Sequence, residues 1–533
     1  MRPILLSLLA AASLLGAERP RLLLVISVDQ CSQELMSRWL EGTPDGFGRL
    51  AREGTAFSSA YHDHSYTETG PGHSVILSGR VPARTGITEN DWLDRATLKR
   101  VNCVKTPDTP LHGDPGAGAG PQHFRGTTLG MWLKTQVPGS RSFALSGKDR
   151  AAILMAGPQA DGVYWFSNKV GYTTSTAYAQ KLPTWLEAHN RALMARLPNQ
   201  SLFWEASTGR PEPGGTYTIK GKTVTLGLPR LIHAVGQPMD KQAWERYTAS
   251  PFFDRDILEA AEALIRHERL GQGKGTDLLA LSLSATDYVG HRFGTTGPEM
   301  QDQLRRLDGA LSGFLARLKA KVPELWVAFT ADHGCGEIPE KLLAQGIHAR
   351  RLDLVAWGAD LNRALAKRFK ISGDLFYRPD GHQFYLDGRV LKAHGLDRTE
   401  VLEAAVELAR KDPDLLEAVT SEALAARLLP TDPNPENRPV LDRMRMSYVP
   451  ETSGDLLLAF KPHVMLDDPT NLCVHGHPSD VDRRVPLVFW GPWAAERRTE
   501  PVRVVDLAPT LAKELDLRPA EPLDGRVLPL KRR

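Results

Sequence analysis

A chain of 533 residues is long enough for one large domain with insertions or for two or three ordinary ones, and can bury about three quarters of its unfolded surface. Its hydrophobic content of 41%, charged content of 24% and formal charge of +3 are those of an ordinary soluble globular protein. They leave no basic tail or stripe, and no interleaving of basic and aromatic residues, to suggest a nucleic-acid partner.

At the N-terminus, Arg2 precedes the apolar run from Ile4 to Leu15, which ends in Gly16-Ala17 before Glu18-Arg19-Pro20. The run is 12 residues long, short of the roughly 20 of a membrane-spanning helix, so 1–17 reads as a secretory signal peptide. No other stretch is apolar enough to span a bilayer, and the expected product is a periplasmic or secreted monomer. Four cysteines, at 31, 103, 335 and 473, are too few for a disulfide scaffold. Three pairings are open, with Cys335 and Cys473 favoured.

Leu22 to Val28 predicts a strand buried on both faces, with Asp29 at its C-terminal edge, where ligands bind in open α/β sheets. A helix at 47–52 and a strand at 55–60 follow. In Ser65 to Ser74, Thr69 stands before Gly-Pro-Gly and an apolar run, placing a hydroxyl at a helix N-terminus, where unpaired N–H groups and the dipole welcome negative charge. Asn90 falls in a loop, and 106–126, rich in Pro and Gly, should be irregular. The strand at 141–146 leads to Lys148 and Arg150. A helix at 183–196, a hairpin about Gly221 and a helix at 254–267 come next; 197–250 reads as an insertion covering the site. The strand 277–284 ends in Ala285-Thr-Asp287-Tyr-Val-Gly-His291, a helix opens at Pro298, and the strand 325–330 ends in Ala331-Asp332-His333-Gly334.

From 352 to 470 the pattern changes to polar strands, as at 382–387, and a helix at 399–410, and reads as a second insertion. The chain returns through His475-Gly-His477 to a strand at 485–490 and a helix near 505–515. This alternation predicts a doubly wound, mostly parallel α/β sheet in a catalytic domain spanning 18–533.

Asp29, Asp287, His291, Asp332, His333 and His475 offer carboxylate oxygens and imidazole nitrogens, ligands suited to Zn²⁺, in number enough for two ions at three ligands each. Two such ions can clamp the attacking and leaving oxygens of a phosphoryl displacement.

The Thr-x-Pro-x-His stretch, Asn90-Asp-Trp, Gly147-Lys-Asp-Arg, Asp287-Tyr-Val-Gly-His, Ala331-Asp-His-Gly and His475-Gly together resemble the alkaline phosphatase superfamily, and within it the phosphate-irrepressible periplasmic alkaline phosphatases of the PafA type. The resemblance runs in order from about 22 to 515. It implies that fold with inserted cap segments and a zinc-dependent phosphomonoesterase working through a phospho-threonine. One zinc would be held by Asp287, His291 and His475, and a second by Asp29, Asp332 and His333. Thr69 would be the nucleophile, and Asn90, Lys148 and Arg150 would bind the phosphoryl oxygens. Two cations beside the phosphate favour monoester dianions, small-molecule phosphate monoesters being the expected substrates. The alternatives are a phosphodiesterase or nucleotide pyrophosphatase on the same fold, and an exported binding protein without catalysis. Where relatives commonly carry Ser after the Gly, this chain has His477, a rival to His475 as ligand. Cys31, close behind Asp29, is a second departure, and Glu68 has no assigned role.

Overall fold

Leu22–Val28 (β1) is buried at every position, as its apolar run requires, and each such Leu, Ile or Val contributes about 1.5–3 kcal/mol on burial. The computed structural model describes residues 19–207, 211–379 and 381–533, so the leader expected at 1–17 lies outside the described residues.

With β1, nine further strands form a ten-stranded sheet: β2 (Thr55–Tyr61), β3 (Arg141–Ser146), β4 (Gly162–Ser167), β5 (Gly171–Thr173), β6 (Asp277–Leu283), β7 (Leu325–Thr330), β8 (Arg484–Trp490), β9 (Glu496–Arg498) and β10 (Val502–Arg503). Their spatial order is β9-β2-β8-β7-β1-β6-β3-β4-β5, with β10 also on β2. β1 pairs in parallel with β6 and β7, and β6-β3-β4 continues in parallel. β8 runs antiparallel to both β7 and β2, so β2 points the same way as β1.

That topology fixes where the chemistry collects. Asp29 follows β1, the Thr69 segment follows β2, Lys148 and Arg150 follow β3, Asp287 and His291 follow β6, and Asp332 and His333 follow β7. His475 precedes β8, whose reversed direction brings its start to this same edge. Six segments therefore converge where the parallel strands end, the usual ligand-binding edge of such sheets.

Helices pack around the sheet, among them α1 (Thr69–Ile76), α2 (Asp149–Ala156), α3 (Ala285–Phe293) and α4 (Pro298–Lys321). Between 350 and 466 the chain makes an excursion whose entry and exit, Arg350–Leu352 and Val464–Leu466, pair side by side. The excursion has a three-stranded sheet and an apolar core of its own, including Leu365, Phe376 and Leu402.

Three local expectations are corrected. Residues 106–126 are not wholly irregular: Lys105–Leu111 and Asp114–Ala119 form a hairpin turning at Gly113 (φ 87°). Its register shifts repeatedly, which lets Pro107, Pro110 and Pro115 sit where no ladder donor is needed. Asp287 lies not at a strand end but in the first turn of α3, which puts His291 one turn away on the same face. The strand expected at 382–387 contracts to Gln383–Phe384, because the Asp455 carboxylate takes the Leu386 N–H and Asp387 caps the following helix.

Candidate active site

Thr69 is the first residue of α1 and is fully buried. Its helix can sit this close because Gly72 faces the carbonyl of Asp332; a Cβ there would lie 2.2 Å from that oxygen. The Thr69 hydroxyl lies 3.4 Å from Lys148 Nζ, and the same ammonium stands 2.8 Å from Asp29 Oδ2 and also bonds Asp287.

The six predicted donors are brought together as two overlapping clusters. Ligand atoms of Asp29, Asp332 and His333 lie within 4.8 Å of one another, as do those of Asp287, His333 and His475. His291 Nε2 joins the second cluster 3.3 Å from Asp287 Oδ1. Each of the three histidines has its Nδ1 on a main-chain carbonyl: His291 on Cys473 (2.6 Å), His333 on Gly334 (3.0 Å) and His475 on Thr67 (2.8 Å). Donation from Nδ1 leaves Nε2 with its lone pair, and all three Nε2 atoms face carboxylates of the cluster. His477 is engaged elsewhere, with Nδ1 on Asp482.

Of three buried carboxylates, Asp29 and Asp287 share one ammonium and Asp332 pairs with His73 and His333, an excess of negative charge that a low-dielectric site does not tolerate unaided. Burial, and after it the neighbouring Asp332 charge, raises the Asp29 pKa well above the carboxylate range. Burial also works against ionised Asp332, but His333 and His73 outweigh it and hold that carboxyl low. Oδ1 of Asp29 and Nε2 of His333, both buried, have no hydrogen-bond partner. The donor set fits two divalent cations of the zinc type.

The phosphate-binding candidates surround Thr69. Asn90 Oδ1 accepts the Gly70 N–H at 2.7 Å, which fixes the amide and leaves Nδ2 as its donor end. Burial disfavours the Lys148 charge, but Asp287 and Asp29 outweigh it and the ammonium persists. Arg150, in the first turn of α2, has a buried Nε without a partner and feels Asp149 and Asp29.

Four residues outside the predicted set shape the site. His73 Nδ1 lies 3.1 Å from Asp332 Oδ2 and Nε2 2.8 Å from Ser282 Oγ, locking that carboxylate; its signal was the i, i+4 spacing from Thr69. Gln30, left-handed at φ 67°, donates its side-chain amide to Asp287 and its main-chain N–H to Asp332, bridging the two clusters. Tyr288 lies under the Lys148 ammonium, 5.1 Å from Nζ to the ring centroid. Glu68 Oε2 accepts the Asn90 N–H at 2.6 Å and so ties the Asn90 loop to the start of α1. Nothing in the sequence marks Gln30, Glu68 or Tyr288, because their partners are distant in the chain.

The two favoured cysteines are neighbours, with Sγ atoms 3.2 Å apart and unbonded. Among the described residues, no helix is long and apolar enough to cross a membrane.

A model of the type I phosphodiesterase/nucleotide pyrophosphatase family matches residues 23–462. The chain is 34% identical over 532 residues to alkaline phosphatase PhoK of a Sphingomonas species, covering 97% of this chain and 92% of that one. The crystal structure of wild-type alkaline phosphatase PafA superposes with a TM-score of 0.80 at 26% identity, over 94% of this chain and 97% of that one. A second PafA structure (TM-score 0.81, 25% identity, 94% and 97% covered) carries substitutions at a Thr, an Asn, a Lys and an Arg. The Thr and Asn of that set are 21 positions apart and the Lys and Arg two apart, the spacings of Thr69 to Asn90 and Lys148 to Arg150.

Proposed function

This chain belongs to the type I phosphodiesterase/nucleotide pyrophosphatase family, and from that premise we propose that it is an exported alkaline phosphatase that hydrolyses phosphate monoesters through a phospho-threonine at Thr69. The observation that carries the reading is the convergence on one buried ammonium, Lys148, of the Thr69 hydroxyl and an acid from each donor cluster.

Two zinc ions, one held by Asp29, Asp332 and His333 and the other by Asp287, His291 and His475, supply Lewis acidity for the attacking and the leaving oxygen when bound. Thr69 Oγ1 forms the new bond to phosphorus as the ester P–O bond breaks in line, and the alcohol leaves carrying the proton that Thr69 gives up. Water then cleaves the phospho-threonine, releasing inorganic phosphate and restoring the hydroxyl. Phosphoryl transfer depends on positioning and charge. The Asn90 amide, fixed by Gly70, presents Nδ2 to one phosphoryl oxygen, while Lys148 and Arg150 neutralise the others. Two cations suit the dianion of a monoester better than the single charge of a diester. A leader at 1–17 supports export, and the insertions at about 197–250 and 352–470 cap the domain spanning 18–533.

The family model's own description favours a second reading, a phosphodiesterase on the same fold. The test is turnover of p-nitrophenyl phosphate against bis(p-nitrophenyl) phosphate by the zinc-loaded protein and by Thr69→Ala and Lys148→Ala/Arg150→Ala. Monoester preference that collapses in the double variant is expected. Diester preference untouched by it would favour the second reading, and no turnover of either by zinc-loaded protein would leave a binding protein.

A further inference from the structure

A groove of about 1010 Å³ opens beside His291 and Tyr288, between the strand Lys222–Leu226, the helix Lys241–Thr248 and the loop 469–472. It is firmly built: Leu472 N–H bonds the His291 carbonyl at 2.8 Å, and Lys220 of the hairpin pairs with Asp467 at 2.9 Å. Thr69 does not line it. In an in-line displacement the alcohol departs opposite the nucleophile, which on the reading above is the side of the cluster to which His291 belongs, and the groove borders that cluster through His291.

The charges of the groove are unbalanced. Arg230 is spent on the buried Glu299 carboxylate. Lys222 and Arg292 are exposed and make no ion pair among the described residues. Around Arg292 stand one acid, Glu245, and two repelling cations, Arg246 and Arg230. The aromatic rings offer little to a base: Phe293 has the Arg230 guanidinium 4.2 Å over its centroid, and Tyr288 has Lys148 over its own. One face of each ring is already taken by a cation, whereas an anion would meet two cations that make no ion pair among the described residues.

We propose that this groove is a leaving-group subsite favouring phosphate monoesters whose alcohol carries a second anionic group, a carboxylate or another phosphate, read by Arg292 and Lys222. The proposal rests on the phosphomonoesterase reading above.

The experiment compares kcat/KM of the zinc-loaded enzyme on 3-phosphoglycerate and on glycerol 3-phosphate, which differ by a carboxylate against a hydroxymethyl group, with fructose 1,6-bisphosphate against fructose 6-phosphate as the phosphate arm. Lys222→Glu and Arg292→Ala should each lower kcat/KM for the doubly anionic member about three- to tenfold more than for its partner, as expected for partly exposed charge pairs. Arg292→Lys should restore most of the difference, and the wild-type preference should fade in 0.5 M salt. A loss confined to one arm identifies carboxylate or phosphate as the group read. Equal changes for both members of both pairs would overturn the subsite. Failure of the wild type to hydrolyse any of the four overturns the phosphomonoesterase reading instead. Lys222 lies on the hairpin, away from the metal donors, so its variant separates lost recognition from a damaged site.

Discussion

Asp29, Asp332 and His333 follow the two central strands and are wholly buried, whereas Asp287, His291 and His475 come from a helix and a loop, and His291 keeps 18% of its side chain exposed. The first half is braced by His73 and by the Gln30 N–H; the second is braced by the Thr67 carbonyl and by that of Cys473, which follows the loop that walls the groove. Burial is therefore complete on the side of Asp29, Asp332 and His333 and partial on the side that borders the groove. On the proposed reading, such a site would hold the phosphoryl group strictly and leave the choice of alcohol to the charges of the groove.

The largest expected effect is on the proposed nucleophile, Thr69. Thr69→Ala should lower kcat by about 10³-fold or more, while Thr69→Ser keeps a measurable fraction; steady-state kinetics and trapping of ³²P on the protein read both. Phosphate incorporation persisting in Thr69→Ala would remove Thr69 from the role. Next, the buried half should hold its metal harder. Asp332→Asn should weaken zinc binding by at least about 100-fold and lower Tm, whereas His291→Ala costs about tenfold, by metal analysis after dialysis and by calorimetry. Equal losses would break the asymmetry.

A smaller effect probes Glu68. Glu68→Gln, which weakens its grip on the Asn90 N–H, should raise KM and lower kcat/KM about three- to tenfold, and the effect should vanish in an Asn90→Ala background. Additive losses would mean that Glu68 acts by another route. The smallest concerns Asp254, which accepts the Ser284 and Ala285 N–H groups where β6 passes into α3. Burial pushes its pKa up to about 6, against main-chain bonds that lower it. Because the folded pKa is the higher one, Asp254 stabilises the fold fully only below about pH 4 and loses that contribution as pH rises through about 6. At about 1.4 kcal/mol per unit this is at most on the order of 3 kcal/mol. Asp254→Asn, whose amide can donate to the partnerless Oε1 of Gln303 once that side chain flips, should flatten the pH dependence of Tm between 4 and 7. An unchanged profile would remove Asp254 as its source.

Much of this was legible in the sequence, for identifiable reasons. The central strands at 22–28, 141–146, 277–283 and 325–330 are buried at nearly every position and read as predominantly apolar runs, so the acids and cations just beyond them fall at one edge. Hairpin 105–119 was hidden because its prolines and glycines are signs of irregular chain, and only an irregular register accommodates them. Asp287 reads from sequence as a strand-end residue because four residues past an apolar run do not distinguish a turn from a first helical turn. Gln30, Glu68 and Tyr288 act through partners up to 302 positions away, and such pairings leave no local pattern.

β1 has a consequence for biosynthesis. Its residue Leu22 opposes both Asp277 and Leu325, so the strand carrying Asp29 emerges first from the ribosome and waits for some 300 further residues before both neighbours exist. Pairings of such long sequence separation form slowly and only after the loop between them is closed. Nascent chains stopped before about residue 333 contain Asp29 and Thr69 but no assembled pocket around them. The candidate site thus stays disassembled until the segment carrying His475 has been made.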